Sequence, residues 1–186
     1  HTTTASASGL DDAPVTFTTT ALAARLSLLT EPSASGSSGI AFAQQPVLQL
    51  AEPGGDPIAR GDVAVTVQIA SGGGTLSGET TAISDGSGRV TFTGLLIRGT
   101  PGVRTLIFAA EGFTPVTSPP IAIGVGTAAS IAATAGGDQA ATVGSAVPVA
   151  PAVVVRDADG NLVGGVAVTF TVASGGGSVS GGALFT

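Results

Sequence analysis

Short apolar runs alternate with turn clusters along the whole chain. Val63-Ala64-Val65-Thr66-Val67-Gln68-Ile69 has a period of two, which places Val63, Val65, Val67 and Ile69 on one face of a strand. Val166, Val168, Phe170 and Val172 repeat the pattern. Between residues 23 and 126 the runs predict strands over Arg25–Leu29, Ile40–Leu50, Val63–Ala70, Glu79–Ile83, Val90–Leu95, Arg104–Ala110 and Val116–Val125. Asp85-Gly86-Ser87-Gly88, Thr100-Pro101-Gly102 and Asp157-Ala158-Asp159-Gly160-Asn161 read as turns. No segment carries a helical apolar stripe of useful length. The Ala-rich stretch 20–26 is readable as a short helix, but its context favours a linker entering a strand. About seven strands in roughly 100 residues predicts an all-β sandwich. Its two sheets would face each other about 10 Å apart. Val65, Val67, Ile69, Phe92 and Phe108 are expected inside.

The pattern recurs. Val63–Gly78 returns as Val166–Gly181 at an offset of 103 residues, and Pro46–Glu52 matches Pro151–Asp157 at an offset of 105. The two-residue difference is expected in a turn, Pro53-Gly54-Gly55-Asp56 against Ala158-Asp159, because turns are where length varies. Near the start, Ala7-Ser8-Gly9-Leu10 and Pro14-Val15-Thr16 resemble Ala110-Glu111-Gly112-Phe113 and Pro115-Val116-Thr117. The expected organisation is therefore tandem. Residues 1–22 are the tail of a preceding repeat, 23–126 a complete repeat, and 127–186 the first part of a further, incomplete one. The last repeat lacks the counterparts of its final strands. Either the chain continues past Thr186, which is preferred, or strands of another copy complete the fold by β-augmentation. The segment His1–Thr20 would be the donor in a head-to-tail array. In both cases residues 1–20 are expected to be extended and paired to a sheet.

Composition narrows the function. The chain has 186 residues, 43% of them hydrophobic, but no Cys, Met, Trp or Tyr and only seven Phe. Its apolar content is Ala, Val, Leu and Ile beside many Thr and Ser, a strand-forming vocabulary. The 29 Gly and 11 Pro punctuate short runs, as an all-β chain requires. Net charge is −6, with six Arg and no Lys, which argues against nucleic-acid binding. Charged residues are only 10%, against a usual level of roughly 25%, so the surface must be dressed in Thr, Ser, Gly and Gln. Zero Cys removes disulfides and thiolate chemistry together. No run reaches the roughly 18 apolar residues needed to span a bilayer. His1-Thr2-Thr3-Thr4 lacks the basic and apolar regions of a signal peptide, and no Met begins the chain, so a start inside a longer protein is expected.

The run Val155-Arg156-Asp157-Ala158-Asp159-Gly160-Asn161-Leu162-Val163-Gly164-Gly165-Val166, continuing to Val172 and then Ala173-Ser174-Gly175-Gly176-Gly177-Ser178-Val179-Ser180, resembles the bacterial immunoglobulin-like repeats of the invasin and intimin type. The complete repeat is similar to a related group found in long bacterial surface and secreted proteins. Its marks are Ala41–Pro46, Gly72–Gly78 and Ser84–Thr93. The resemblance covers essentially the whole chain. It implies tandem immunoglobulin-like β-sandwiches of about seven strands each, serving as stalks, spacers, adhesin shafts or filament parts. It carries over no catalytic residues. The chain departs from the general pattern by ending inside a repeat.

Candidate chemistry is sparse. His1 is the only histidine, and no Cys exists to pair with it. Serine catalysis would need a general base, and none is apparent. Asp157, Asp159, Asn161 and Gly160 have a loose likeness to a calcium loop but lack the distal bidentate Glu. The matching turn of the complete repeat is Glu52-Pro53-Gly54-Gly55-Asp56-Pro57, so turn formation is the preferred reading. Asp11-Asp12 reads as a solvated loop. The glycine runs 72–74 and 175–177 lack the following Lys-Ser/Thr of a phosphate loop and read as flexible strand connections. Pro46, Pro119 and Pro120 suit strand starts or edges.

No catalytic, cofactor or metal site is therefore expected, and the chain is not expected to be an enzyme. The expected function is an extracellular structural module of a bacterial stalk, fibre or filament, located outside the cell or on the cell surface. Its partners would be neighbouring repeats of the same chain or further copies. The alternative is an adhesin-type module recognising a glycan or a host protein through its loops. Phe113, in the Gly112–Pro115 turn, is the most plausible loop aromatic, although packing beneath the loop, as for Leu10, is the plainer role. A third possibility is an accessory domain of a secreted enzyme.

Overall fold

Val65 and Val67 in one long strand, and Leu106 and Phe108 in another, alternate with exposed or half-buried residues, so that one side of each faces the core. The computed structural model describes residues 2–5, 15–18, 23–179 and 183–186. Every regular element among them is a strand. The first half carries β1 (Thr2–Ala5), β2 (Val15–Thr18), β3 (Ala24–Thr30), β4 (Ser35–Ser37), β5 (Val47–Ala51), β6 (Ala64–Ser71), β7 (Thr75–Ser77), β8 (Thr81–Ile83) and β9 (Arg89–Thr91). The second half carries β10 (Leu96–Arg98), β11 (Gly102–Ala109), β12 (Phe113–Thr114), β13 (Val116–Thr117), β14 (Ile121–Gly124), β15 (Ala128–Ala135), β16 (Ala152–Asp157), β17 (Ala167–Thr169) and β18 (Ala183–Phe185).

One sheet has the order β4-β14-β11-β6-β8, with β13 also on β11; the other has the order β12-β3-β5-β9. A single core joins them, an arrangement consistent with a β-sandwich. Leu48, Leu50, Val65, Val90, Phe92, Leu95, Leu106 and Phe108 are fully buried in it. Val67 is buried as expected, while Ile69 is half-buried against the core. The Phe92 and Phe108 rings pack at 5.4 Å with an interplanar angle of 57°. Such tilted contacts are favoured by the ring quadrupoles.

Two expected strands are broken, each at proline. Ile40–Leu50 is not continuous: regular structure begins at Val47, just after the buried Pro46. The preceding segment crosses toward Leu95, where Phe42 N–H donates to the Leu95 carbonyl at 2.9 Å. The Gln45 side chain completes the crossing: its Oε1 accepts from Leu95 N–H at 2.9 Å. Val116–Val125 divides into β13 and β14 around Ser118-Pro119-Pro120. The prolines have no N–H to donate to the ladder. Ser118 bridges the gap: its hydroxyl accepts from Leu106 N–H at 2.9 Å, and its own N–H donates to the Leu106 carbonyl at 2.8 Å.

The turn after β5 and the turn after β16 match across 105 residues. Glu52 N–H donates to Asp56 O at 2.8 Å, and Asp157 N–H to Asn161 O at 2.9 Å. Ile58 N–H returns to Leu50 O at 2.7 Å, and Val163 N–H to Val155 O at 2.9 Å. Gly55 and Gly160 both take positive φ, 104° and 84°. The two turns therefore have the same length, which corrects the expectation that the two-residue difference sits there. The difference lies just beyond, in Ala59-Arg60-Gly61-Asp62 against Gly164-Gly165. Asp62 adopts φ 61° in the longer connection.

The N-terminal residues show a further correspondence. β1 pairs antiparallel with β2, with Ala5 opposite Val15 and Thr4 opposite Thr16. β11 and β13 pair as Phe108 opposite Val116 and Ile107 opposite Thr117. Thus Thr2–Ala5 and Val15–Thr18 are extended and paired, to each other; the remainder of the 1–20 segment lies outside the described residues. In the C-terminal part β15 pairs with β16, and β17 with β18. Val168 faces Leu184 there, as Val65 faces Ala82 between β6 and β8.

Candidate functional site at the Asp157 turn

The turn that closes β16 sits against the end of the sandwich. Its first residue, Asp157, is 4% exposed and uses both carboxylate oxygens. Oδ1 accepts the backbone N–H groups of Asp159 at 2.9 Å and Asn161 at 2.8 Å, the local bonding that makes Asp a turn former. Oδ2 accepts the Asn161 side-chain amide at 2.8 Å and the Gly126 N–H at 2.8 Å. Desolvation opposes the negative charge, but the Asn161 amide and the N–H groups of Gly126, Asn161 and Asp159 outweigh it. They hold the carboxyl well below its ordinary range, at about 2.

Gly126 belongs to the three-residue link between β14 and β15, so this contact ties the turn to the chain leaving the sandwich. A Cβ at position 126 would lie 2.6 Å from the Ser38 carbonyl oxygen and 3.2 Å from Asp157 Oδ2. Only glycine allows that approach.

Two more side chains of the turn reach the sandwich. Asp159 Oδ2 accepts the Ser38 hydroxyl at 2.7 Å, and its Oδ1 stands 3.5 Å from the Arg98 guanidinium. The Asn161 amide also donates to the Gly99 carbonyl at 2.9 Å. Ser38 is the hub on the receiving side. It is buried, its N–H donates to Gly124 O at 3.0 Å, and its hydroxyl accepts Gly99 N–H at 2.9 Å. The Asp157 turn thus engages Ser38, the β10–β11 connection and the link between β14 and β15 together.

The residues weighed for chemistry fall into place differently. The oxygens of Asp157 face N–H donors, and Asp159 faces Ser38 and Arg98, so the turn is organised as a set of protein contacts. Among the described residues, no three His, Cys, Asp or Glu side chains converge as metal ligands. His1, Leu10, Asp11 and Asp12 lie outside the described residues. Phe113 is half-buried and packs on the core. The glycine runs, expected as flexible strand connections, take left-handed backbone. Gly72, Gly73 and Gly74 take φ 90°, 70° and 97°, and Gly175, Gly176 and Gly177 take 90°, 70° and 105°. A Cβ on Gly72 would fall 2.2 Å from the Val103 oxygen, so this run is shaped by close backbone approach. Ser38, Arg98 and Gly99 carried no local signal of their role. Gly126 alone had one, as a glycine in the short link between two strand runs.

No family model matches the chain, and no curated protein matches it.

Proposed function

We propose that the chain is an extracellular structural module of a bacterial stalk, fibre or filament, built from tandem immunoglobulin-like sandwiches that are rigidly joined. The observation that carries this reading is the joint at Asp157. A link of three residues permits free swivelling unless something fixes it. Here four hydrogen-bonded or ionic contacts anchor the turn to the sandwich: Gly126 to Asp157, Ser38 and Arg98 to Asp159, and Gly99 to Asn161. Arrays whose units touch only their neighbours extend in one dimension, and their stiffness resides in such joints.

The matched turns at 105 residues and the matched pairings of β1–β2 and β11–β13 support the tandem reading. The glycan-binding alternative draws no support from Phe113, whose ring packs on the core. Electron microscopy of the native protein provides the test. Elongated, straight particles are expected; compact globular particles would overturn the proposal.

A further inference from the structure

The C-terminal strands repeat the pairing of the complete sandwich but leave its inner face open. Ile131 stands opposite Val155 between β15 and β16, as Leu26 stands opposite Leu50 between β3 and β5. Leu26 is 3% exposed, whereas Ile131 is 57% exposed. A groove of about 380 Å³ lies between β15–β16 and β17, and Ile131, Val155, Val166 and Val168 line it. The counterparts of these four, Leu26, Leu50, Val63 and Val65, all belong to the core of the complete unit. Leu106 and Phe108 of β11 share that core, and β11 pairs with β6. Among the described residues, β17 pairs with β18 alone. The glycine runs mark the same difference. In the complete unit a Cβ on Gly72 would lie 2.2 Å from the Val103 oxygen, and one on Gly74 would lie 2.7 Å from the Arg98 oxygen. Gly175 and Gly177 take the same left-handed path, yet among the described residues nothing lies within 4 Å of a Cβ on either. The space that β11 and β10 fill beside the first run is open beside the second.

From these matches we infer that the groove of the C-terminal strands accepts the β1–β2 pair of a second copy, so that copies add head to tail. Two observations single out that pair as the occupant. The first is register. Ala5 faces Val15 and Thr4 faces Thr16, as Phe108 faces Val116 and Ile107 faces Thr117. The β1–β2 pair thus has the form of the β11–β13 pair that closes the complete unit. The second is size. β11 sets Phe108 against Val67 of β6. The matching positions, 103 residues before Phe108 and 103 after Val67, hold Ala5 and Phe170. The ring has moved from the donor strand to the acceptor, so each pairing joins one ring to one small aliphatic group, and the volume is roughly kept. Carrying the β11–β6 register across places Ala5 opposite Phe170 and Thr4 opposite Thr171. Strand addition of this kind takes its affinity from backbone hydrogen bonds and its specificity from the side chains that meet. Donor and acceptor are different surfaces of one chain, so the contact propagates instead of closing on a dimer. Head-to-tail addition needs the matched registers but not the stalk reading.

Sedimentation velocity of the 186-residue chain from micromolar to millimolar concentration tests it. A series of dimers, trimers and longer species that lengthens with concentration is expected. Removing residues 1–22 should leave a folded monomer. Added to the whole chain, that monomer should cap the series, because it keeps the groove and lacks the donor strands. The chain has no Cys, so introduced cysteines report the register. Facing residues of paired strands lie about 4.5 to 5.5 Å apart at Cα, within reach of a disulfide. Ala5→Cys mixed with Phe170→Cys should cross-link about tenfold faster or more than Ala5→Cys mixed with Ala152→Cys, an exposed position on β16. Circular dichroism verifies that each variant is folded. A whole chain that stays monomeric at millimolar concentration overturns the inference and leaves the stalk reading to electron microscopy. Association that persists without residues 1–22 overturns it too, as does equal cross-linking at Phe170→Cys and Ala152→Cys. A disulfide closed within a monomeric Ala5→Cys, Phe170→Cys double variant would place the occupant in the same chain and exclude a second copy.

Discussion

The Ser38 hydroxyl donates to Asp159 Oδ2 at 2.7 Å, across 121 positions of the chain. Ser38 is buried at the end of the sandwich and held there by Gly124 and Gly99. Asp159 arrives on a turn that Asp157 has already shaped. Each partner is thus positioned by its own surroundings before the two meet, so little freedom is lost when the bond forms.

The joint should loosen when this contact is removed while the sandwich stays folded. Ser38→Ala and Asp159→Ala are each expected to leave the core melting transition in place. Amide hydrogen exchange at Gly126 and Asn161 should become faster, and small-angle scattering should show a broader range of shapes. Unchanged exchange at both amides would mean that the contact does not hold the turn.

Gly126→Ala should have a stronger effect than either. The new methyl would sit 2.6 Å from the Ser38 carbonyl oxygen, and backbone must move to relieve it. The link and the turn are expected to separate, with loss of the Gly126–Asp157 hydrogen bond. Chemical-shift changes confined to the Asp157 turn and the 125–127 link would verify this; an unperturbed spectrum would refute it.

Acid should release the turn. The Asp157 carboxyl sits at about 2 in the folded chain and, unfolded, near the ordinary value of about 3.9. A depressed folded pKa contributes stability that is fully present above the unfolded value. That contribution fades as pH falls through the window from about 4 to about 2. Asp85 acts in the same direction: the Ser87 hydroxyl and the Arg89 N–H lower its carboxyl. Titration followed by the Gly126 and Asn161 amide resonances should show a midpoint well below pH 4. A midpoint at an ordinary aspartate value would contradict the arrangement.

Calcium should change little. Asp157 already accepts four N–H donors, and a cation would have to displace them. The melting temperature is expected to be the same with calcium and with chelator. A large rise with calcium, reversed by chelator, would show that the turn rearranges into a ligand set.

The core should depend on its two facing rings. Phe92→Ala or Phe108→Ala is expected to cost about 3 to 5 kcal/mol by urea unfolding, since each side chain is fully buried. A double-mutant cycle should return a coupling of about 0.5 to 1.5 kcal/mol for the ring pair. Losses below 1 kcal/mol, as for exposed side chains, would contradict the packing.

The alternation of Val63, Val65 and Val67 was legible in the sequence because side chains in a strand switch faces at every residue. The buried face therefore follows from local spacing alone. The burial of Phe92 and Phe108 followed from the same logic, as did the turn-forming role of Asp157, whose carboxylate bonds residues two and four positions on. The breaks at Pro46 and at Pro119-Pro120 were visible as prolines. What repairs them, Gln45 and Ser118, depended on which strand ran alongside. Short strands such as β4 and β7 have no period to read, being defined by their neighbours. The joint was illegible for a related reason. Nothing near Ser38 in the chain specifies Asp159, and nothing near Asp159 specifies Arg98 or Gly99. The contact exists because β14 pairs with β4, the β10–β11 connection comes to Ser38, and a three-residue link returns the chain beside them. Local spacing determined the strands and their inner faces; only the long-range register of the sheets decided which polar residues would meet.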